Sequence, residues 1–83
     1  MPCYHFNVRN GTGFVEDEEG RDLPDLDAVR DEALTGIRSI LAEDIRKGFL
    51  DLHGRVEIVD ESGARILTLP FADAIDVRKA PAG

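Results

Sequence analysis

Pro24-Asp25-Leu26-Asp27-Ala28-Val29-Arg30-Asp31-Glu32-Ala33-Leu34-Thr35-Gly36-Ile37-Arg38-Ser39-Ile40-Leu41-Ala42-Glu43-Asp44-Ile45-Arg46-Lys47-Gly48 is the stretch whose reading decides the fold. Its apolar residues Leu26, Val29, Ala33, Ile37, Ile40, Leu41 and Ile45 fall on one continuous arc at about 100° per residue, the pattern of an amphipathic helix lying on a sheet. Pro24 biases Leu23 away from helical angles. Asp25 is a good N-cap, and Asp27 places an anion where the helix dipole favours it. Arg46 and Lys47 suit the opposite end, and Gly48 can adopt a left-handed cap. The spacing predicts a helix over 26–47.

On either side of this segment the period changes to two. Tyr4, Phe6 and Val8 alternate with Cys3, His5, Asn7 and Arg9, which reads as a half-buried strand. Asn10-Gly11 then signals a tight turn because both residues tolerate positive φ. Phe14 and Val15 open a short second strand, Asp17-Glu18-Glu19-Gly20 turns again, and a third extended piece covers Arg21 to Leu23. After the helix and a connector from Phe49 to Gly54, Val56 and Ile58 alternate with Arg55 and Glu57. Asp60-Glu61-Ser62-Gly63 repeats the earlier turn chemistry, and Ile66 to Leu69 returns. Phe71 to Val77 reads as a helical turn or a last edge strand. The fold class is therefore α+β: a mainly antiparallel small sheet of four to five strands with one amphipathic helix on one face, order ββ(β)αββ. A single domain spans residues 1–79, and 80–83 form a loose tail.

With 83 residues, one core is the limit, burying about 60–65% of the surface the unfolded chain exposes. Charge is concentrated. The chain carries −7, and between Glu16 and Asp27 seven acids face one base, Arg21, so that segment carries −6. A phosphate backbone and an anionic membrane are both repelled by such a patch, so nucleic-acid and membrane binding are not expected. A basic protein partner is allowed, with Glu16, Asp17, Glu18, Glu19 and Asp22 as the contact residues. Self-association through an open sheet edge is the other expectation. No apolar run approaches a bilayer span, the first residues lack a leader's basic start, and one cysteine precludes an internal disulfide. The expected location is cytoplasmic.

The catalytic vocabulary is sparse. No Gly-x-Ser-x-Gly elbow, His-Glu-x-x-His pair or phosphate loop is present, and Gly11-Thr12-Gly13 is explained by a hairpin turn. Cys3 and His5 share a strand face and could join His53, but the paired ligand spacing of zinc sites is missing. The acidic run from Val15 has Val15 and Leu26 where a calcium loop needs its first and twelfth ligands. No enzyme activity, cofactor or metal is expected. Two helix residues break local rules. Asp44 lies on the apolar arc near the C-terminus, either solvated or accepting hydrogen bonds from the Phe49–Gly54 connector. Gly36 in mid-helix either receives a second backbone or is simply tolerated.

The chain also resembles a family. Met1-Pro2-x-Tyr4-x-Phe6, Asp17-Glu18-Glu19-Gly20, Leu23-Pro24-Asp25-Leu26-Asp27-Ala28 and Leu41-Ala42-Glu43-Asp44 resemble a group of short bacterial proteins classed as a domain of unknown function. The resemblance spans nearly the whole chain and implies no catalytic residues. At fold level, residues 3 to 47 are similar to HicB-type antitoxin domains, which run strand, strand, short strand and amphipathic helix. That similarity implies a binder, and one form of it is an inhibitor of a small basic ribonuclease. The expectation is an uncharacterised cytoplasmic protein-interaction module with an acidic contact surface.

Overall fold

The computed structural model describes residues 2–11, 13–78 and 80. Five strands, one α-helix and one 3-10 turn follow each other as β1 (Cys3–Asn10), β2 (Gly13–Val15), β3 (Arg21–Asp22), α1 (Leu26–Arg46), β4 (Arg55–Asp60), β5 (Arg65–Pro70) and the 3-10 turn Phe71–Ala74. The strands form one antiparallel sheet in the order β2-β1-β4-β5, with β3 also paired to β1. The α+β class and the order ββ(β)αββ are those read from the sequence. Most of the 80–83 tail lies outside the described residues.

Alternation places Tyr4, Phe6 and Val8 of β1, Val56 and Ile58 of β4, and Leu67 and Leu69 of β5 on the face that α1 covers. The helix answers with Val29, Ala33, Ile37 and Leu41, four residues apart and all buried. Phe71 and Ala74 of the 3-10 turn close the core from the side, and the Arg38 Nε donates to the Ala74 carbonyl at 2.7 Å. Phe71 to Val77, open in the sequence, is thus a single helical turn at its start.

Both helix caps form as the sequence implies. Asp25 accepts from the Ala28 amide at 2.8 Å. At the other end, Gly48 takes φ +100°, its N–H donates to the Ile45 carbonyl, and the Phe49 N–H donates to the Asp44 carbonyl at 3.1 Å. That is a Schellman motif, in which Asp44 accepts from the connector through its main chain. The connector is held by the main-chain carbonyl of Asp44, and its half-buried carboxylate has no hydrogen-bond partner among the described residues.

The apolar arc is shorter than its sequence signature. Leu26 and Ile45 are 56% and 59% exposed. A 21-residue helix is about 31 Å long, whereas a strand of six to eight residues spans about 20–27 Å, so both helix ends overhang the sheet. The first hairpin also differs from expectation. Asn10 pairs with Gly13, and the positive φ falls at Gly13 (+141°), not at Asn10 or Gly11.

Two glycines make opposite demands. A Cβ on Gly54 would sit 2.4 Å from the Phe71 ring, whereas one on Gly36 would meet nothing within 4 Å. Among the described residues, no second backbone closely approaches Gly36. Gly54→Ala should cost about 1–3 kcal/mol by overpacking, and Gly36→Ala should stabilise the fold by about 0.5–1 kcal/mol through helix propensity. Paired urea melts of the two variants should show midpoints moving in opposite directions.

Candidate functional site

The outer edge of β1 is paired at its two ends and not in its middle. β3 takes Cys3 and Tyr4, β2 takes Val8 to Asn10, and the acidic loop between β2 and β3 passes the gap. One residue fills it. The Asp17 carboxylate accepts the Phe6 N–H at 3.1 Å through Oδ2 and the Gly20 N–H at 3.1 Å through Oδ1. Its own N–H donates to the Asn7 Oδ1 at 2.9 Å, and its carbonyl accepts from the His5 Nδ1 at 2.7 Å. A carbonyl only accepts, so the Nδ1 of His5 carries a proton. Burial pushes the Asp17 carboxyl up, but the amides of Phe6 and Gly20, the neighbouring His5 and the Glu19 amide outweigh it and leave it below the ordinary aspartate value. Gly20 completes the turn at φ +73°, with Cys3 and His5 packed against the space a side chain would need.

Pinned in this way, the loop borders a groove of about 390 Å³ between α1 and the β2 edge. Its floor is apolar, made by Phe6 and Val8 of β1, Val56 of β4, and Ala33 and Ile40 of α1 beside the bare Gly36. Val15 forms part of the opposite wall and is 64% exposed, because α1 does not reach over β2. Glu16 and Glu19 from the loop and Glu32 from the helix rim the groove, and the guanidinium of Arg21 pairs with Glu32 across one end. Size and apolar floor fall within the range of ligand and peptide clefts.

The five acidic residues singled out in the sequence are not one surface. Glu16 and Glu19 stand at the groove rim, and Asp17, which also lines it, is consumed by backbone hydrogen bonds. Glu18 lines a second hollow of about 200 Å³ with His5, Asp60 and Glu61, and Glu16 and Asp17 border this one too. Asp22 lies in β3 opposite Cys3 and lines neither hollow. Gly36, suspected only for its helix position, belongs to the groove. Glu32, Val15 and Ile40 were missed as lining residues; the one available signal was the end of the apolar arc at Gly36.

A family model described as a domain of unknown function, DUF6894, matches residues 3–72. The chain belongs to that family. No curated protein and no solved structure matches it significantly. The DUF6894 match covers β1 through the start of the 3-10 turn, so every strand, α1 and the groove lie inside the family's extent.

The remaining chemistry-bearing residues are dispersed. Burial, followed by the fields of Asp22, Glu61 and Asp17, raises the Cys3 thiol above its usual range, which opposes thiolate formation. His53 pairs locally with Asp51 at 2.9 Å. No group of three or more His, Cys, Asp or Glu side chains placed to hold a metal occurs among the described residues. No described helix is long and apolar enough to cross a membrane.

Asp17→Asn should lower stability by about 1–3 kcal/mol, because an amide can accept from one of the two N–H groups but presents its own donors to the other. A depressed folded pKa contributes stability above the unfolded value, about 3.9, that is lost as pH falls through the folded one. Urea melts from pH 6 downward should therefore show wild-type stability declining below about pH 4, with a flatter profile for Asp17→Asn.

Proposed function

We infer that the domain is a cytoplasmic protein-interaction module that receives a basic, amphipathic segment of a partner in the groove between α1 and the β2 edge. The observation that carries this reading is the combination of an apolar floor, an acidic rim in which Glu16 and Glu19 are not engaged by Arg21 as Glu32 is, and the space over Gly36. Apolar side chains of the partner would enter between Val15 and Ile40, and its Lys or Arg residues would meet the rim. Charge of this kind steers encounter and selects partners, while the apolar contact supplies most of the affinity. The single free cysteine, Cys3, suits a reducing compartment.

A small basic ribonuclease is one partner with the required chemistry, and the domain would then act as an antitoxin-like inhibitor. The succession β1, β2, β3, α1 supports this variant, since HicB-type domains are similar in that order.

Gly36→Leu is the discriminating change, because it fills the groove floor, leaves every charge in place and improves helix propensity by up to about 1 kcal/mol. Native capture from the bacterial host, with wild-type and Gly36→Leu chains as bait, should recover one stoichiometric basic protein. Its capture should be weakened by salt and be absent from the variant, while melts show the variant at least as stable as wild type. Equal capture by both chains, or a complex indifferent to salt, would count against the groove.

A further inference from the structure

The sheet's second face, away from α1, carries a charge pattern that meets the groove only at Glu16 and Asp17, which line both. Alternation puts Arg9 of β1, Arg55 and Glu57 of β4, and Thr68 of β5 on it, and Arg65 reaches the same face across the β4 irregularity at Ile58/Val59. Three guanidiniums converge on one carboxylate. Arg55 Nε lies 2.9 Å from the Glu57 Oε1, Arg9 Nε lies 3.5 Å from the same oxygen, and Arg65 lies 3.7 Å from Oε2. Arg9 also stacks on the Phe14 ring at 4.7 Å, which holds its guanidinium on this face. The cluster is +2, in a chain whose net charge is −7.

The other end of the same face has the opposite sign. Around His5 stand Glu16, Asp17, Glu18, Asp60 and Glu61, lining the 200 Å³ hollow without a Lys or Arg. Asp17 and Asp60 are occupied by backbone amides, whereas Glu16, Glu18 and Glu61 are exposed. Along β1, His5 and Arg9 are four residues apart, about 13 Å; Arg65 pairs with Val59, opposite His5, and its guanidinium reaches back to Glu57. Uncharged Asn7 and Thr68 flank Glu57 between the two ends.

We propose that this face binds the same face of a second copy of the chain, as an isologous two-fold dimer in which the acidic hollow of each copy sits on the arginine cluster of the other. A two-fold axis lying in the interface and running across the strands reverses strand direction, so positive meets negative twice. Both unsatisfied features are answered at once. The excess of two cations over Glu57 gains carboxylate partners, and the uncompensated acids around His5 gain guanidiniums. A contact made mainly by exposed charges is weak and salt-sensitive, and this one leaves the apolar floor of each α1–β2 groove uncovered.

Sedimentation equilibrium tests the dimer, at about 20 mM and about 500 mM salt and over a concentration series from about 10 μM to about 1 mM, the range expected of a weak interface. Wild type should associate to a dimer at low salt, with Kd at least about tenfold higher at high salt. Arg55→Glu/Arg65→Glu turns the basic cluster from +2 to −2, and Glu16→Lys/Glu18→Lys/Glu61→Lys turns the acidic one from −5 to +1. Each variant alone should be monomeric, and an equimolar mixture of the two should restore a heterodimer. If circular dichroism shows the arginine variant unfolded, Arg55→Gln/Arg65→Gln takes its place and should be monomeric in the same range. A wild-type monomer throughout the low-salt series would overturn the proposal. So would a dimer that survives both sets of substitutions, which would point instead to pairing through the β5 edge.

Discussion

A single carboxylate closes the gap that the strand order leaves on β1. With β3 paired at Cys3 and Tyr4 and β2 at Val8 to Asn10, the backbone N–H of Phe6 has no strand partner. Asp17 supplies the acceptor and simultaneously binds Gly20, Asn7 and His5. An open N–H on an otherwise paired edge strand is both an energetic cost and an aggregation risk. Meeting it with a side chain instead of a strand has a geometric consequence, because the most acidic loop of the chain is clamped beside the core.

The groove follows from that clamp and from a mismatch of widths. Core residues come from β1, β4 and β5, while β2 contributes none. One helix cannot cover four strands about 4.8 Å apart, so Val15 of β2 is left facing the space beside Ile40 and Gly36. Any residue larger than glycine at 36 would project into that space. The local cost of a mid-helix glycine, about 1 kcal/mol relative to alanine, is thereby linked to keeping the groove open. Apolar floor and acidic rim then arise from different elements: the floor from the covered sheet and helix, the rim from the clamped loop and the outer side of α1.

Much of the architecture was legible in the residues. Asp25 and Gly48 marked the helix within a residue, Tyr4-x-Phe6-x-Val8 and Val56-x-Ile58 gave the buried strand faces, and the two Asp-Glu-x-Gly turns do share chemistry. In both, the aspartate accepts backbone amides and the glycine takes a positive φ, +73° at Gly20 and +85° at Gly63. What the residues could not convey was long-range. Asp17 read as one acid in a charged run, since its partners Phe6 and Asn7 lie ten or more residues away. The groove needs β2 and α1 side by side, which no local pattern encodes. Asp44 left two readings open, since a polar residue on an apolar arc is compatible with an overhanging helix end or with a contact to the connector; the contact that forms uses its carbonyl, which no side-chain pattern encodes.

The central claim is that the α1–β2 groove is the contact surface for a basic amphipathic segment. The most direct measurement is a titration of ¹⁵N-labelled protein with a short peptide alternating Lys or Arg with Leu, followed by amide chemical shifts. Shifts concentrated in Val15–Arg21 and Glu32–Ile40, and suppressed by salt, are the predicted result. Shifts confined to the opposite sheet face around Arg9 and Glu57, or none at saturating peptide, would contradict the account.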